Sequence, residues 1–164
     1  MMRVRDAAAA ALVAALFLVP TARADDPGAL ALGAGGYDFD HNQPAGEFRG
    51  EYRFSQGFYF IKPTIGTLVT TRASTYTYFG LRGDFVFADH YAVMPNAAFG
   101  FWSKGDGKNL GSWFEFKTGV EFAYRFDNAW RVGLAFDHIS NAGFTRTNPG
   151  TENLLLMVSM PLGF

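Results

Sequence analysis

The sequence predicts an all-β protein, an eight-stranded antiparallel up-and-down transmembrane β-barrel, and three observations lead there. Past residue 24 no stretch has the pattern of an amphipathic or spanning helix, while aromatics are abundant, with 18 Phe in the chain. Apolar and polar residues alternate with a period of two through run after run, as in strands with two unlike faces. Short turns alternate with longer polar loops, so one end of the molecule carries turns and the other carries loops.

Residues 1–24 stand apart. Arg3 and Arg5 make a basic start, Ala7 to Val19 is an apolar run, and Ala22-Arg23-Ala24 fits a small-x-small cleavage site. Such a segment reads as a secretory signal peptide cleaved before Asp25, the apolar run being too short to cross a membrane as a helix. The remaining residues, 25–164, form one domain. There is no cysteine, so no disulfide framework is used. Removing Arg3, Arg5, Arg23 and Asp6 from 14 basic and 15 acidic side chains leaves a slight acidic excess, with no general nucleic-acid signal.

The alternating runs fall at roughly 28–38, 47–54, 58–69, 75–87, 91–102, 112–126, 129–141 and 151–164. In the first, Gly33-Ala34-Gly35-Gly36 lacks dinucleotide-binding spacing and reads as a close-packed strand. The second is the cleanest: Glu47, Arg49, Glu51 and Arg53 alternate with Phe48, Gly50, Tyr52 and Phe54. Pro63 and Pro95 interrupt the third and fifth, where each removes a ladder donor and predicts a bulge. The sixth sets Glu115, Lys117, Glu121 and Arg125 against Phe114, Phe116, Val120, Phe122, Tyr124 and Phe126. The seventh and eighth carry Trp130, Val132, Leu134 and Phe136, then Leu154, Leu156, Val158 and Met160, each in one phase. Connections near 55–57, 88–90 and 127–128 are short; those near 39–46, 70–74, 103–111 and 142–150 are longer.

Two features favour lipid over water outside the barrel. Aromatics flank every short turn (Phe54 and Tyr59, Phe87 and Tyr91, Phe126 and Trp130), which reads as an interfacial girdle. The chain ends on Phe164 after Val158, Met160 and Leu162, which resembles the terminal strand of bacterial outer-membrane proteins. A soluble lipocalin-like barrel would alternate too, with its apolar face turned inward. The inward phase of the lipid-facing reading holds Glu47, Arg49, Glu51, Arg53, Lys62, Arg82, Asp84, Glu115, Lys117, Glu121, Arg125 and Arg131. Such near-matched charges read as a packed ion-pair network and not as a water-filled pore.

Chemistry concentrates where the last two strands meet the loop end. Continuing the period of two past Phe136 puts His138 and Ser140 on the outward face, and Glu152 joins Leu154 in the outward phase of the last strand. A hydroxyl, an imidazole and a carboxylate at one end of a hairpin are the nucleophile, base and orienter of acyl transfer. They also mark where two strands leave the membrane, and the pattern alone leaves both readings open. Asp137 adjoins His138 but points to the opposite face. Asp40-His41 and Asp89-His90 lack a serine at suitable spacing. No G-x-S-x-G elbow, P-loop, Cys/His cluster or paired-Asp calcium loop is present, so no cofactor or metal is expected.

His138-x-Ser140-Asn141, with Glu152 in the next strand and Asn148-Pro149-Gly150 between them, resembles the lipid A 3-O-deacylase (PagL) family of small outer-membrane barrels. The likeness is specific over about residues 137–153 and architectural elsewhere. It implies a serine esterase of the bacterial outer membrane, crossing it many times, that removes the 3-O-linked acyl chain of lipid A from lipopolysaccharide. By the resemblance Ser140 is the nucleophile, His138 the base and Glu152 its orienter. Asn141, with Gly143, falls at the oxyanion site, and Asn148 and Pro149 read as turn-formers. Arg146, Lys104, Lys108 and Arg72, in the expected outer loops, are candidates for lipid A phosphates or are plain solvated charge. A non-catalytic outer-membrane barrel and a soluble lipid-binding barrel are the alternative classes.

Overall fold

The computed structural model describes residues 27–163; the expected signal peptide, its cleavage site and Phe164 lie outside them. The strands are β1 (Ala29–Tyr37), β2 (Ala45–Arg53), β3 (Ile61–Thr70), β4 (Thr75–Gly83), β5 (Phe85–Phe87), β6 (Tyr91–Ser103), β7 (Phe114–Arg125), β8 (Arg131–Ser140) and β9 (Thr151–Pro161). Strands adjacent in sequence pair antiparallel except β4 and β5, which both pair with β6, and β9 returns to pair with β1. Since β4 and β5 are two pieces of one strand, the molecule is a closed eight-stranded barrel without sheet edges.

The strand break is where proline acts. Arg82 faces Asn96 and Phe85 faces Val93, so the register is unchanged across the gap and Gly83 falls opposite Pro95. Proline offers no N–H there, and the ladder lapses without an inserted residue. At Pro63 the pairing with Leu81 is continuous. The two expected bulges are therefore an interruption opposite Pro95 and an unbroken register at Pro63.

Loop lengths also depart from expectation at two places. The β2–β3 connection is longer than a tight turn: Phe58 and Ile61 exchange backbone hydrogen bonds of 2.9 and 3.0 Å around Tyr59, whose φ is 53°. Tyr59 thus sits at a hairpin tip, outside the strand expected to start at 58. At the other end β3 and β4 are joined by residues 71–74 alone, closed by Thr70 accepting from Ala73 and Ser74.

The barrel's polarity is what a hydrocarbon solvent requires. Every charged residue assigned to the inward phase is buried, while Phe48, Ile65, Phe79, Phe99, Phe122, Leu134 and Leu156 stand exposed on the outside. A soluble ligand-binding barrel would show the reverse. Near the turns the outward aromatics Tyr59, Tyr91, Phe126 and Trp130 are exposed as well.

Inside, most of the charges are paired, while the Glu115 carboxylate is buried without a side-chain partner among the described residues. Asp137 accepts from Arg49 and Lys117, Arg53 spans Glu51 and Glu121, and Asp84 takes Arg82 and Arg131. Toward the loop end Tyr37 stacks on Trp102 and Tyr76 on Tyr78, closing the lumen with rings. The interior voids lined by this network measure about 10 and 20 Å³, each room for about one water.

Close approach explains the glycines of β1. A Cβ on Gly35 would collide with the Leu154 carbonyl, and one on Gly33 with the Met157 sulfur. Small residues here let β1 pack tightly against β9, which holds Glu152 near the β1 exit.

Candidate functional site

The site is built from the register of β8 and β9. His138 is the cross-strand partner of Glu152, and both side chains share the outward face with Phe136 and Leu154. His138 Nδ1–H donates to Glu152 Oε1 over 2.9 Å. That bond leaves Nε2 as the acceptor of a neutral ring. Ser140 follows two residues after His138 on the same face and is partly exposed. No hydrogen bond joins Ser140 to His138 among the described residues. Such contacts are often loose before substrate arrives.

Asp137 points the other way, fully buried, into Arg49 and Lys117. It cannot reach the outward imidazole. The strand pleat alone separates the two carboxylates.

Asn141 begins the 141–150 loop and organises it. Buried completely, its Nδ2 donates to the carbonyls of Leu110 and Thr147 and to Thr145 Oγ1 at 2.9–3.0 Å. Its own N–H donates to Asn148 Oδ1, and the Gly143 N–H donates back to Asn141 Oδ1. Both oxyanion candidates are thus engaged inside the loop. Gly143 itself faces open space, with φ at 80°. Asn148 is more than a turn-former, because its side chain fixes the Asn141 backbone.

Gly150 touches the imidazole. A Cβ there would lie 2.7 Å from His138 Cε1 and 3.4 Å from Nε2, and its φ of 62° favours glycine. The N-P-G sequence carries the turn signal, but that the last residue cradles the base follows only from the folded loop.

Beside Ser140 lies an apolar trough. Ser140 is the register partner of Phe116, and Phe114, Phe116 and Phe144 form a chain of ring contacts at 5.3 and 5.7 Å. With Ser112 and Trp113 these rings line an open groove whose accessible lining is mostly apolar.

The β1–β2 loop supplies a group the sequence reading set aside. His41 Nδ1 lies 2.7 Å from Asp40 Oδ1 and 3.2 Å from Glu152 Oε2. Asp40, His41 and Glu152 each bring one oxygen or nitrogen within 4.8 Å of the others. Pairing of β1 with β9 would have revealed this: Tyr37 faces Asn153, so the residues after Tyr37 must pass Glu152.

Of the loop cations, Lys104, Arg146 and Arg72 are exposed. Lys108 is not. It is buried against Asp38, 2.6 Å from Oδ1, and that pairing removes it from the phosphate candidates.

A family model described as lipid A 3-O-deacylase (PagL) matches residues 33–161. No curated protein matches the chain. Among solved structures, one described as the crystal structure of the outer membrane enzyme PagL is similar with TM-score 0.61 and 19% identity, covering 82% of this chain and 99% of that one. A chain from de novo designed transmembrane β-barrels is similar with TM-score 0.54 and 11% identity, covering 82% and 96%. At those identities the structural likenesses bear on the barrel, while the family match spans nearly every strand and includes His138, Ser140 and Glu152. The chain belongs to the lipid A 3-O-deacylase (PagL) family.

Proposed function

We propose that this protein sits in the bacterial outer membrane and hydrolyses the 3-O-linked acyl ester of lipid A with Ser140, His138 and Glu152. The observation that carries the reading is the 2.9 Å bond from His138 to Glu152 on the outward face, with Ser140 next along the same face of the strand.

Ser140 Oγ attacks the ester carbonyl as His138 Nε2 takes its proton. Glu152, already bonded to Nδ1, stabilises the imidazolium that forms. Collapse of the tetrahedral intermediate expels the sugar 3-hydroxyl, which receives that proton, and leaves an acyl-serine. Water then repeats the cycle in reverse and releases the hydroxy fatty acid. Asn141 and Gly143 are the oxyanion donors in this reading; to serve, their N–H groups exchange the side-chain oxygens of Asn148 and Asn141, respectively, for the substrate oxygen as the loop adjusts.

An outward site suits a substrate that is itself a membrane lipid. The acyl chain lies along the exposed face, where Phe116 and Phe144 offer a groove beside Ser140, and Arg146 and Lys104 meet the phosphates above. Mass spectrometry of lipid A before and after exposure to the purified protein tests this directly. Loss of one hydroxyacyl group is expected, and its persistence with folded protein would exclude the activity.

A further inference from the structure

We infer that His41 is a positioning residue for Glu152, holding the carboxylate oxygen that His138 leaves free; this rests on the triad reading above. Glu152 has two oxygens with unequal surroundings. Oε1 accepts from His138, whereas Oε2 is buried from solvent and has no hydrogen-bond donor among the described residues. A buried carboxylate oxygen without a donor is costly and is normally satisfied. His41 Nδ1 lies 3.2 Å from it, with its present hydrogen bond going to Asp40 Oδ1 at 2.7 Å. A small ring rotation carries the N–H across.

The loop is built to hold His41 there. The Phe39 N–H donates to the backbone carbonyl of Glu152 itself. Asp38, with φ at 53°, is buried and accepts from the Gln43 N–H, Thr151 Oγ1 and Lys108 Nζ, while its backbone carbonyl accepts from the His41 N–H. The segment after β1 is therefore tied to the start of β9 on both sides of Glu152. Around His41 Nδ1 stand Asp40, Glu152 and, at 3.8 Å, Asp38. With three carboxylate acceptors about it, Nδ1 is placed to act as the ring's N–H donor.

Glu152 needs such a clamp. Its long side chain sits at a strand end, and one hydrogen bond leaves rotation about the carboxylate open. Fixing Oε2 keeps Oε1 in line with His138 as the imidazolium forms. The same role in transition-state geometry places the effect in kcat and not in substrate binding.

The test uses the full-length protein in detergent with lipopolysaccharide, comparing His41→Ala, His41→Gln, Ser140→Ala, Glu152→Gln and the double variant His41→Ala with Glu152→Gln. His41→Ala should lower kcat about tenfold, as for loss of one hydrogen bond to a charged group, with KM nearly unchanged. His41→Gln should recover most of it, because an amide N–H can still donate. In the Glu152→Gln background His41→Ala should cost little more. Wild-type kcat in His41→Ala while Ser140→Ala is inactive would overturn the role of His41 and leave the triad standing. Full activity in Ser140→Ala would instead overturn the triad. An equal loss from His41→Ala in both backgrounds would mean that His41 does not act through Glu152. A requirement for added divalent cation that disappears in His41→Ala would assign the cluster to an ion and overturn the proposal.

Discussion

His138 and Glu152 are direct cross-strand partners on β8 and β9, with Nδ1 and Oε1 2.9 Å apart, although fourteen positions separate them in the chain. Asp137, one position from His138, lies on the other side of the sheet and is committed to Arg49 and Lys117. The pleat assigns one carboxylate to chemistry and the other to the interior network. A slip of β9 by one residue would turn Glu152 inward and leave the imidazole without its carboxylate.

Removal of the nucleophile should be the most damaging single change. Ser140→Ala and His138→Ala should abolish deacylation while the barrel stays folded, since an unassisted hydroxyl is a weak nucleophile near neutral pH. Glu152→Gln should cost less, within the about 10²–10⁴-fold attributable to general-base help. The double variant Ser140→Ala with Glu152→Gln should be no worse than Ser140→Ala alone. Release of hydroxy fatty acid from lipopolysaccharide is the readout, and full activity in Ser140→Ala would end the mechanism.

Asp137→Asn should act on stability. It removes the negative charge shared by buried Arg49 and Lys117, a loss of about 3 kcal/mol by analogy with broken buried ion pairs. Denaturant unfolding in detergent measures it, with activity in the folded fraction near wild type. A folded but inactive Asp137→Asn protein, alongside an active Glu152→Gln, would show that the orienter has been misassigned.

Gly150→Ala should disturb the base from behind. The new methyl group would press on His138 Cε1 from 2.7 Å, and the φ of 62° adds about 1–2 kcal/mol of backbone strain. Displacing the ring by a fraction of an ångström should reduce kcat by about tenfold or more. Kinetics with lipopolysaccharide check this, and an unchanged kcat would mean that the loop yields before the imidazole does.

Single cysteines at positions 122 and 121 should report opposite environments. Phe122 is 58% exposed on the outer face and Glu121 is 4% exposed inside. A fluorophore at 122 in reconstituted protein should be quenched by lipid-borne quenchers, while one at 121 should either fail to react or escape quenching. The reverse result would turn the barrel inside out and remove the membrane reading.

What the sequence determined by itself is whatever a period of two can encode. Alternation placed Glu47, Arg49, Glu51 and Arg53 inside, turned Asp137 away from His138, and put His138, Ser140 and Glu152 on one face, because a strand offers its side chains only two directions. What the tertiary structure decided is which loops meet. Closure of β1 on β9 carries His41 to Glu152, folding of the last loop brings Gly150 under the imidazole, and Lys108 is drawn into Asp38 and away from the surface. Local pattern carries no record of these contacts, since each depends on how a loop folds or on which strands the closed barrel brings together.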